Sequence, residues 1–429
     1  MNLNYAQAME FLNSLPVFTP EAVTTGSRSM NLDSIRILLQ RLNNPEKKMK
    51  YVHVAGTNGK GSTCAFLSQI LTENKIRTGR FTSPALFRFT ENICVDGNEI
   101  EQEDVGRLMT TVKKEADRMA SDGNSYPSEF EITLALAFLY FAEKKCKLVI
   151  LEAGLGGSMD ATNVIESPLL AVFTAISYDH MQLLGSTLTA IAENKAGIIK
   201  ENTMVLTYPQ EPEVMKVLQK ACDKTRAVFE TVILPEEKDF SDGKQTFYLE
   251  GVGELTVFSA ADYQPGNASL AVAAALKLKT LGYDISIPAM QRGVMNTRWR
   301  GRFEILEEKP AVIADGSHNV QGIEALVRNL QRLFPGKKIY FVVGVFADKQ
   351  YQQMMDRLLP LAEKFYVITP PSPRALEKEK LCAYLGKQKA VCETVESIPS
   401  AVSLAKEAAK TDDVVCICGS LSFHGQIYS

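Results

Sequence analysis

The chain has 429 residues, which at roughly 150 residues per domain points to two or three domains. Lys and Arg number 47 against 50 Asp and Glu, so the net charge is −3 and the basic surplus of a nucleic-acid-binding surface is missing. Hydrophobic residues are 45% and charged residues 23%, which excludes wholesale disorder, and no apolar run reaches the roughly 18 residues of a membrane span.

The first residues lack the basic and apolar regions of a secretory signal. Residues 51–55 read as a strand and 64–75 as the helix after it. The longest apolar run, 132–142, has the length of a helix. Residues 147–151 and 169–176 read as strands so apolar that they suit the interior of a parallel sheet covered on both faces. Residues 245–260 alternate and turn near Gly251 and Gly253, which predicts a hairpin at a domain edge. After residue 300 the alternation restarts, with strands predicted at 311–314, 338–343, 364–369 and 414–418, and helices at 321–333 and 398–410. Two strand–helix systems in one chain predict two α/β domains. The stretch 296–302, NTRWRGR, has no period and reads as a linker; its charges and the single Trp suggest that it also touches ligand. The eight cysteines are scattered, none in a CxxC pair, and Cys416 and Cys418 read as core thiols. A reduced, cytoplasmic setting is expected.

The strongest local signal is HVAGTNGKGS at 53–62, a strand running into a Gly-rich turn before a helix. Gly56, Gly59 and Gly61 allow close backbone approach, so amide groups can cradle phosphate oxygens. Lys60 offers a charge for the β- and γ-phosphates, and Ser62 a hydroxyl for a magnesium ion. The spacing departs from the usual phosphate loop, and a ligand-free turn is the plainer alternative. In LEAGLGGSMDATN, 151–163, Glu152 ends an apolar strand, where open α/β sheets place ligands and a carboxylate can hold magnesium; an ordinary strand-end acid is the alternative. His180, beside Asp179, again follows a strand end and can ligate metal. His53 lies inside a strand and is expected to pack. Lys195, in ENKAGIIK, reads as a solvated helix lysine unless it faces the magnesium site. Asp315, His318 and Asn319, in DGSHN, sit at a further strand end, in a functional loop or a plain turn. Arg302, Arg374 and the pair Gly419 and Ser420 are candidates for phosphate or carboxylate contact.

Together these motifs resemble the folylpolyglutamate synthase/dihydrofolate synthase family of Mur-type ATP-dependent ligases. The resemblance runs in order through LLQRLNNP, AGTNGKGS, FTSPALF, SEFEITLALAF, LEAGLGG and DATNV, the Asp179–His180 pair, NKAGIIK, NASLAVAAAL, WRGRFEI, DGSHN and VFADK. It implies an N-terminal P-loop ATPase-like domain with a mostly parallel sheet and a folate site, residues 1–297. A smaller Rossmann-like glutamate-ligase domain would occupy 298–429. It implies that ATP phosphorylates a carboxylate and that the amine of L-glutamate then displaces phosphate, on dihydropteroate or on a reduced folate. The transfer needs charge neutralisation more than covalent help.

The resemblance further implies a site. Thr57, Asn58, Gly59, Lys60, Gly61 and Ser62 would hold ATP, and Asn267, Arg302 and Asp315 would close over it. Magnesium would use Ser83, Glu152 and His180 at one place and Ser62 with Glu152 at another, with a monovalent cation also allowed for. Lys60, Glu152, His180 and Lys195 would carry the chemistry, Lys195 matching a lysine that CO2 carboxylates. Ser128, Glu129, Phe130, Glu131, Met159, Asp160 and Ala161 would meet the pterin-bearing substrate, with His318 and a loop near Gly26–Arg28. The chain departs from the family at Ala85, where His is frequent; at Ser158, where Arg is usual; at Tyr263, where a His–Gln pair is common; and at Arg300, in place of a Pro. A monomer is expected, with no nucleic-acid or membrane partner.

Two alternatives remain from the sequence. One is a ligase for another acid, such as a cell-wall nucleotide precursor, although the short stretch before Lys60 leaves little room for a nucleotide-sugar domain. The other is an ATP-binding regulator without ligase activity, to which Lys195 and DGSHN would be irrelevant.

Overall fold

The aliphatic and β-branched runs of the first half pair into one sheet in the computed structural model, which describes residues 2–15, 31–235, 237–241 and 243–427. The loop near Gly26–Arg28 lies outside the described residues. The strands are β1 Lys50–Ala55, β2 Thr78–Phe81, β3 Ile93–Val95, β4 Asn98–Glu99, β5 Leu148–Glu152, β6 Leu170–Phe173, β7 Met204–Thr207 and β8 Val228–Thr231, in the order β4-β3-β2-β5-β1-β6-β7-β8. All pairs from β2 to β8 are parallel, and β3 and β4 add an antiparallel edge. A second sheet, of β9 Glu237–Ser241, β10 Lys244–Leu249 and β11 Gly253–Val257, contains the predicted hairpin and one further strand. A third holds β12 Glu304–Glu308, β13 Ala311–Ala314, β14 Ile339–Val343, β15 Ala362–Val367, β16 Cys392–Thr394 and β17 Val414–Cys418, in the order β12-β13-β17-β14-β15-β16. It is parallel except for β12.

Parallel strands bury both faces, which is why they read as unbroken apolar runs. Val52, Val54, Leu148 and Ile150 pack on one side against Phe66, Leu67, Ile70 and Leu71 of the helix Lys60–Glu73. Gly293 brings the helix Ile287–Asn296 close to that helix; a Cβ there would stand 2.5 Å from the Ile70 Cα. On the other side lies the apolar run 132–142, inside the helix Glu129–Glu143. Its Phe138 meets Tyr51 edge-on at 6.0 Å. Each such fully buried large side chain contributes about 1.5–3 kcal/mol relative to exposure.

Three expectations need correction. The helix after β1 begins at Lys60, not at residue 64, because Gly59 at φ 93° turns the chain directly into it. The strand expected at 169–176 stops at Phe173, because the Ala175 carbonyl turns away to accept the Thr57 and Asn58 N–H groups at 2.6 and 3.2 Å. Cys382 and Cys392 form a disulfide joining the helix Lys378–Lys387 to β16, whereas all eight cysteines were expected to be reduced. Cys416 and Cys418 are buried in the core as predicted. No helix among the described residues is long and apolar enough to cross a membrane.

Candidate active site

Strand order creates the site. β1 lies between β5 and β6, so the chain leaves all three at one end of the sheet, the crevice where open α/β sheets bind ligands. After β1 comes the Gly-rich turn, at the end of β5 Glu152, and beyond β6 the pair Asp179 and His180.

The turn is stapled in place. Thr57 Oγ1 donates to the Ser177 carbonyl and accepts from the Ser177 N–H, both at 3.0 Å. Gly59, at φ 93°, has no room for a side chain: a Cβ would sit 2.5 Å from Asn267 Oδ1. The first turn of the helix Lys60–Glu73 then presents unpaired N–H groups and a positive dipole end to the crevice. Lys60 Nζ rests on the Thr57 carbonyl at 3.2 Å. Ser62 is buried, and its Oγ accepts from Gln264 Nε2 at 3.2 Å. Asn267 donates to Gln264 Oε1 at 3.1 Å, so both residues face the turn from the helix Gln264–Thr280. Trp299 lies on Gly61, where a Cβ would be 2.9 Å from its ring, and the Arg80 guanidinium sits 5.1 Å from the ring centre.

Glu152 is 4% exposed, and its Oε2 accepts the Ser83 N–H at 3.2 Å. Burial pushes its carboxyl up, opposed by Lys60, the Ser83 N–H, Arg302 and Arg80. This carboxylate and the Ser62 hydroxyl are hard oxygen donors of the kind magnesium takes alongside water and phosphate. No group of three His, Cys, Asp or Glu side chains among the described residues surrounds a common point. That still fits magnesium, which rarely uses an all-protein cage. His180 fits less well in this arrangement. Its Nε2 lies 3.3 Å from Lys349 Nζ, so the nitrogen faces a cation. Burial first, then Lys349, lowers its pKa to about 3.

Lys349, in the VFADK stretch, ties the two parallel sheets' loops together. Its Nζ is 2.5 Å from Asp179 Oδ1, and both side chains are buried. Asn319 Nδ2 reaches the other oxygen at 3.2 Å, with His318 Nε2 at 3.6 Å. Burial would raise the Asp179 pKa, but Lys349 and His318 hold it well below the usual carboxylate range. Asn58 bonds both Asn319 and Gln321. Sequence offered only the strand-end position as a signal for these groups.

Lys195 is not the solvated lysine that its helix suggested. It is 4% exposed, and its Nζ donates to the Gly56 carbonyl at 2.8 Å. Burial first, then Lys60, lowers its pKa to about 7. Asp315 is also buried, with Oδ2 accepting from the Phe303 N–H and Tyr263 hydroxyl at 2.8 and 3.2 Å and Oδ1 from the Ser317 N–H at 2.9 Å. Arg302 Nη1 donates to the Gly301 carbonyl at 3.1 Å. Asp315 therefore braces the segment after Trp299 against the end of β13.

A cleft of about 1520 Å3 runs beside this centre. Ser83, Ala85, Ser128, Glu129, Phe130, Glu131, Met159, Asp160 and Ala161 line it from the first sheet's side, and His318, Lys349, Arg374 and Ser420 from the third sheet's side. Ser128 caps the helix Glu129–Glu143 reciprocally with Glu131, Phe130 meets Phe81 at 5.7 Å, and Met159 is 48% exposed. Arg374 is held by Asp348 through two hydrogen bonds, at 3.2 and 2.6 Å. Three of the four departures are accommodated locally. Ser158 Oγ donates to the Asn194 carbonyl at 2.9 Å, Tyr263 bonds Asp315, and Arg300 pairs with Glu304 at 3.1 Å.

Residues 54–275 match the Mur ligase middle domain, and residues 301–421 match the Mur ligase, glutamate ligase domain. The dihydrofolate synthase/folylpolyglutamate synthase of Bacillus subtilis is 36% identical over 410 residues, covering 92% of this chain and 94% of that protein. The folylpolyglutamate synthase of Lacticaseibacillus casei is 32% identical over 87% of each chain. Among solved structures, Mycobacterium tuberculosis folylpolyglutamate synthase complexed with ADP superposes with a TM-score of 0.89 at 27% identity, covering 99% of this chain and 97% of the other. E. coli FolC in complex with DHPP and ADP gives 0.84 at 27% identity, with coverages of 99% and 97%.

Proposed function

The chain belongs to the Mur ligase family, in its folylpolyglutamate synthase/dihydrofolate synthase branch, and on that premise we propose that it uses ATP to join L-glutamate to dihydropteroate, to the γ-carboxylate of reduced folates, or to both. The observation that carries this reading is the meeting of a stapled Gly-rich turn, Lys60 and the buried Glu152 beside a cleft lined from both sides.

Thr57, Asn58, Gly59, Lys60, Gly61 and Ser62 receive the phosphates of ATP, with Asn267, Arg302 and Asp315 closing from the other side. Ser62 and Glu152 would hold one magnesium ion, and Ser83, Glu152 and His180 another; magnesium bound there would neutralise phosphate charge. For His180 to join them, Lys349 has to leave its Nε2. Ser128, Glu129, Phe130, Glu131, Met159, Asp160 and Ala161 orient the acid, and His318 approaches from the third sheet's side. The acid's carboxylate attacks the γ-phosphorus and ADP leaves. The glutamate amine then attacks the acyl carbon, loses a proton and expels phosphate. Lys60 supplies the protein cation nearest the moving charge. Lys195, partly deprotonated near neutral pH, is the amine that CO2 converts to a carbamate. The same reading places the first domain at 1–297 and the second at 298–429, in a cytoplasmic monomer.

Phosphate release from ATP is measured with magnesium and glutamate, in parallel on dihydropteroate and on a reduced folate, with products checked by mass. A gain of one glutamate on either acceptor supports the reading, and a gain on both makes the enzyme bifunctional. No glutamate-dependent turnover with either acceptor overturns it and leaves another acid or a nucleotide sensor. Lys60→Ala abolishes ligation, and Glu152→Gln folds but loses its response to magnesium. Near-normal turnover in the first, or an unchanged magnesium titration in the second, removes that residue from the site.

A further inference from the structure

His53 is a buried imidazole for which the chemistry above has no use. It is fully buried in β1, and its Nε2 lies 2.8 Å from Thr162 Oγ1. Thr162 in turn makes a very short hydrogen bond to Asp160 Oδ1, and Asp160 lines the cleft. The direction of this chain follows from counting protons. Asp160 also accepts the Thr162 N–H at 3.0 Å and, on Oδ2, the Leu155 N–H at 2.6 Å. Both carboxyl oxygens already accept a backbone N–H, so the Thr162 hydroxyl is placed as the donor to Asp160 Oδ1. The Thr162 oxygen then needs a donor from His53. Burial, followed by Lys200, lowers the His53 pKa to about 3, so the ring is neutral and carries one proton. That proton must sit on Nε2. Nδ1 is then a buried acceptor without a partner, and burying it unpaired carries a cost that a purely structural side chain would avoid.

We propose that His53 is a positioning residue for the acid-acceptor cleft, acting through Thr162 to fix the Asp160 carboxyl so that its Oδ2 can accept an N–H donor of the substrate. The aminopyrimidinone end of a pteridine offers such a donor, so the assignment of the ligand rests on the folate reading above. Burial pushes the Asp160 carboxyl up, opposed first by the Leu155 N–H and then by the Thr162 hydroxyl that His53 contacts. The arrangement also separates the two substrates. Val52 and Val54 face the helix that follows the phosphate turn, while His53 faces Thr162 across the other side of the strand. A change at His53 therefore reaches the acid-binding wall without passing through the ATP side.

The test uses the full-length enzyme. His53→Leu and Thr162→Val each raise the KM of the folate acceptor about tenfold, with kcat and the KM of ATP within about twofold. His53→Gln retains a donor near the Nε2 position and recovers most of the loss, and the double variant is no worse than Thr162→Val alone. An unchanged acceptor KM in folded variants, multiplying losses in the double variant, or an ATP KM that rises in parallel overturns the proposal. If His53→Leu does not fold, the comparison of Thr162→Ser with Thr162→Val decides. A second readout is independent of turnover. In nitrogen-15 spectra of the four histidines, the ring whose signals are lost in His53→Gln should be protonated at Nε2 and not titrate between about pH 5 and 8. Its signals shift in Thr162→Val. A ring protonated at Nδ1 overturns the relay even if the enzyme ligates glutamate, whereas absent turnover with an intact Nε2–H signal counts against the folate reading alone.

Discussion

Asn58 and Asn319, 261 positions apart, exchange two hydrogen bonds across the junction of the chain's two halves: Asn58 Nδ2 donates to Asn319 Oδ1 at 3.1 Å, and Asn319 Nδ2 to Asn58 Oδ1 at 3.0 Å. Asn319 Oδ1 also caps the helix Val320–Leu333 by accepting the Gly322 N–H at 2.9 Å, and its amide reaches Asp179. One amide thus joins the phosphate turn, a helix start and a buried carboxylate.

Two substitutions separate these duties. Asn319→Ala removes the cap and the junction and lowers thermal stability by about 1 kcal/mol. Asn319→Asp keeps a capping oxygen but sets a second carboxylate against Asp179, and reduces turnover more than tenfold, an estimate of about 1.4 kcal/mol or more from like charges at close range. Melting curves and initial rates on both variants check this. Equal rates in the two would mean that the junction is not part of the working site.

Gly59 and Gly61 differ in why they are glycine. At Gly59 both the φ of 93° and Asn267 Oδ1 exclude a side chain. Gly59→Ala therefore weakens ATP binding, and adding Asn267→Ala does not restore it, because about 1–2 kcal/mol of left-handed strain remains. At Gly61 only the Trp299 ring is in the way. Gly61→Ala displaces that ring from under Arg80, and the emission of the chain's single tryptophan changes. An unchanged spectrum would show that the ring is not packed on the turn.

Lys195 makes both stability and activity depend on pH. Its pKa falls from 10.5 to about 7 on folding. Between these values the unfolded chain binds more protons, so this group's contribution to stability rises with pH through that window; below about 7 the full cost of burying the charge is present. Lys195→Met is accordingly more stable than the parent at pH 6, by a margin that shrinks toward pH 10. Turnover in bicarbonate-free buffer is low and added bicarbonate restores it at pH 8; below about pH 7 the same bicarbonate restores less, because the ammonium form does not react with CO2. Activity indifferent to bicarbonate and pH would exclude a carbamate at this lysine.

The local chemistry was legible because it is local. A strand running into glycines, a lysine and a serine needs neighbours only a few positions away, so the turn at 55–62 could be read directly. Glu152 was legible by its place at the end of an apolar run. The start of the next helix was misplaced because glycine counts against helix in sequence, whereas here the first turn leaves its N–H groups free for ligand.

The two strand–helix systems, the Gly-rich turn, the strand-end acids and the family were readable from residue type and short spacing. The fold alone buries Lys195 on Gly56, closes Lys349 on Asp179, brings Cys382 to Cys392 and links His53 to Asp160 through Thr162. The physical reason is the same in each case. Strand order sets which distant loops meet, and burial then sets the charge that a side chain carries where they do.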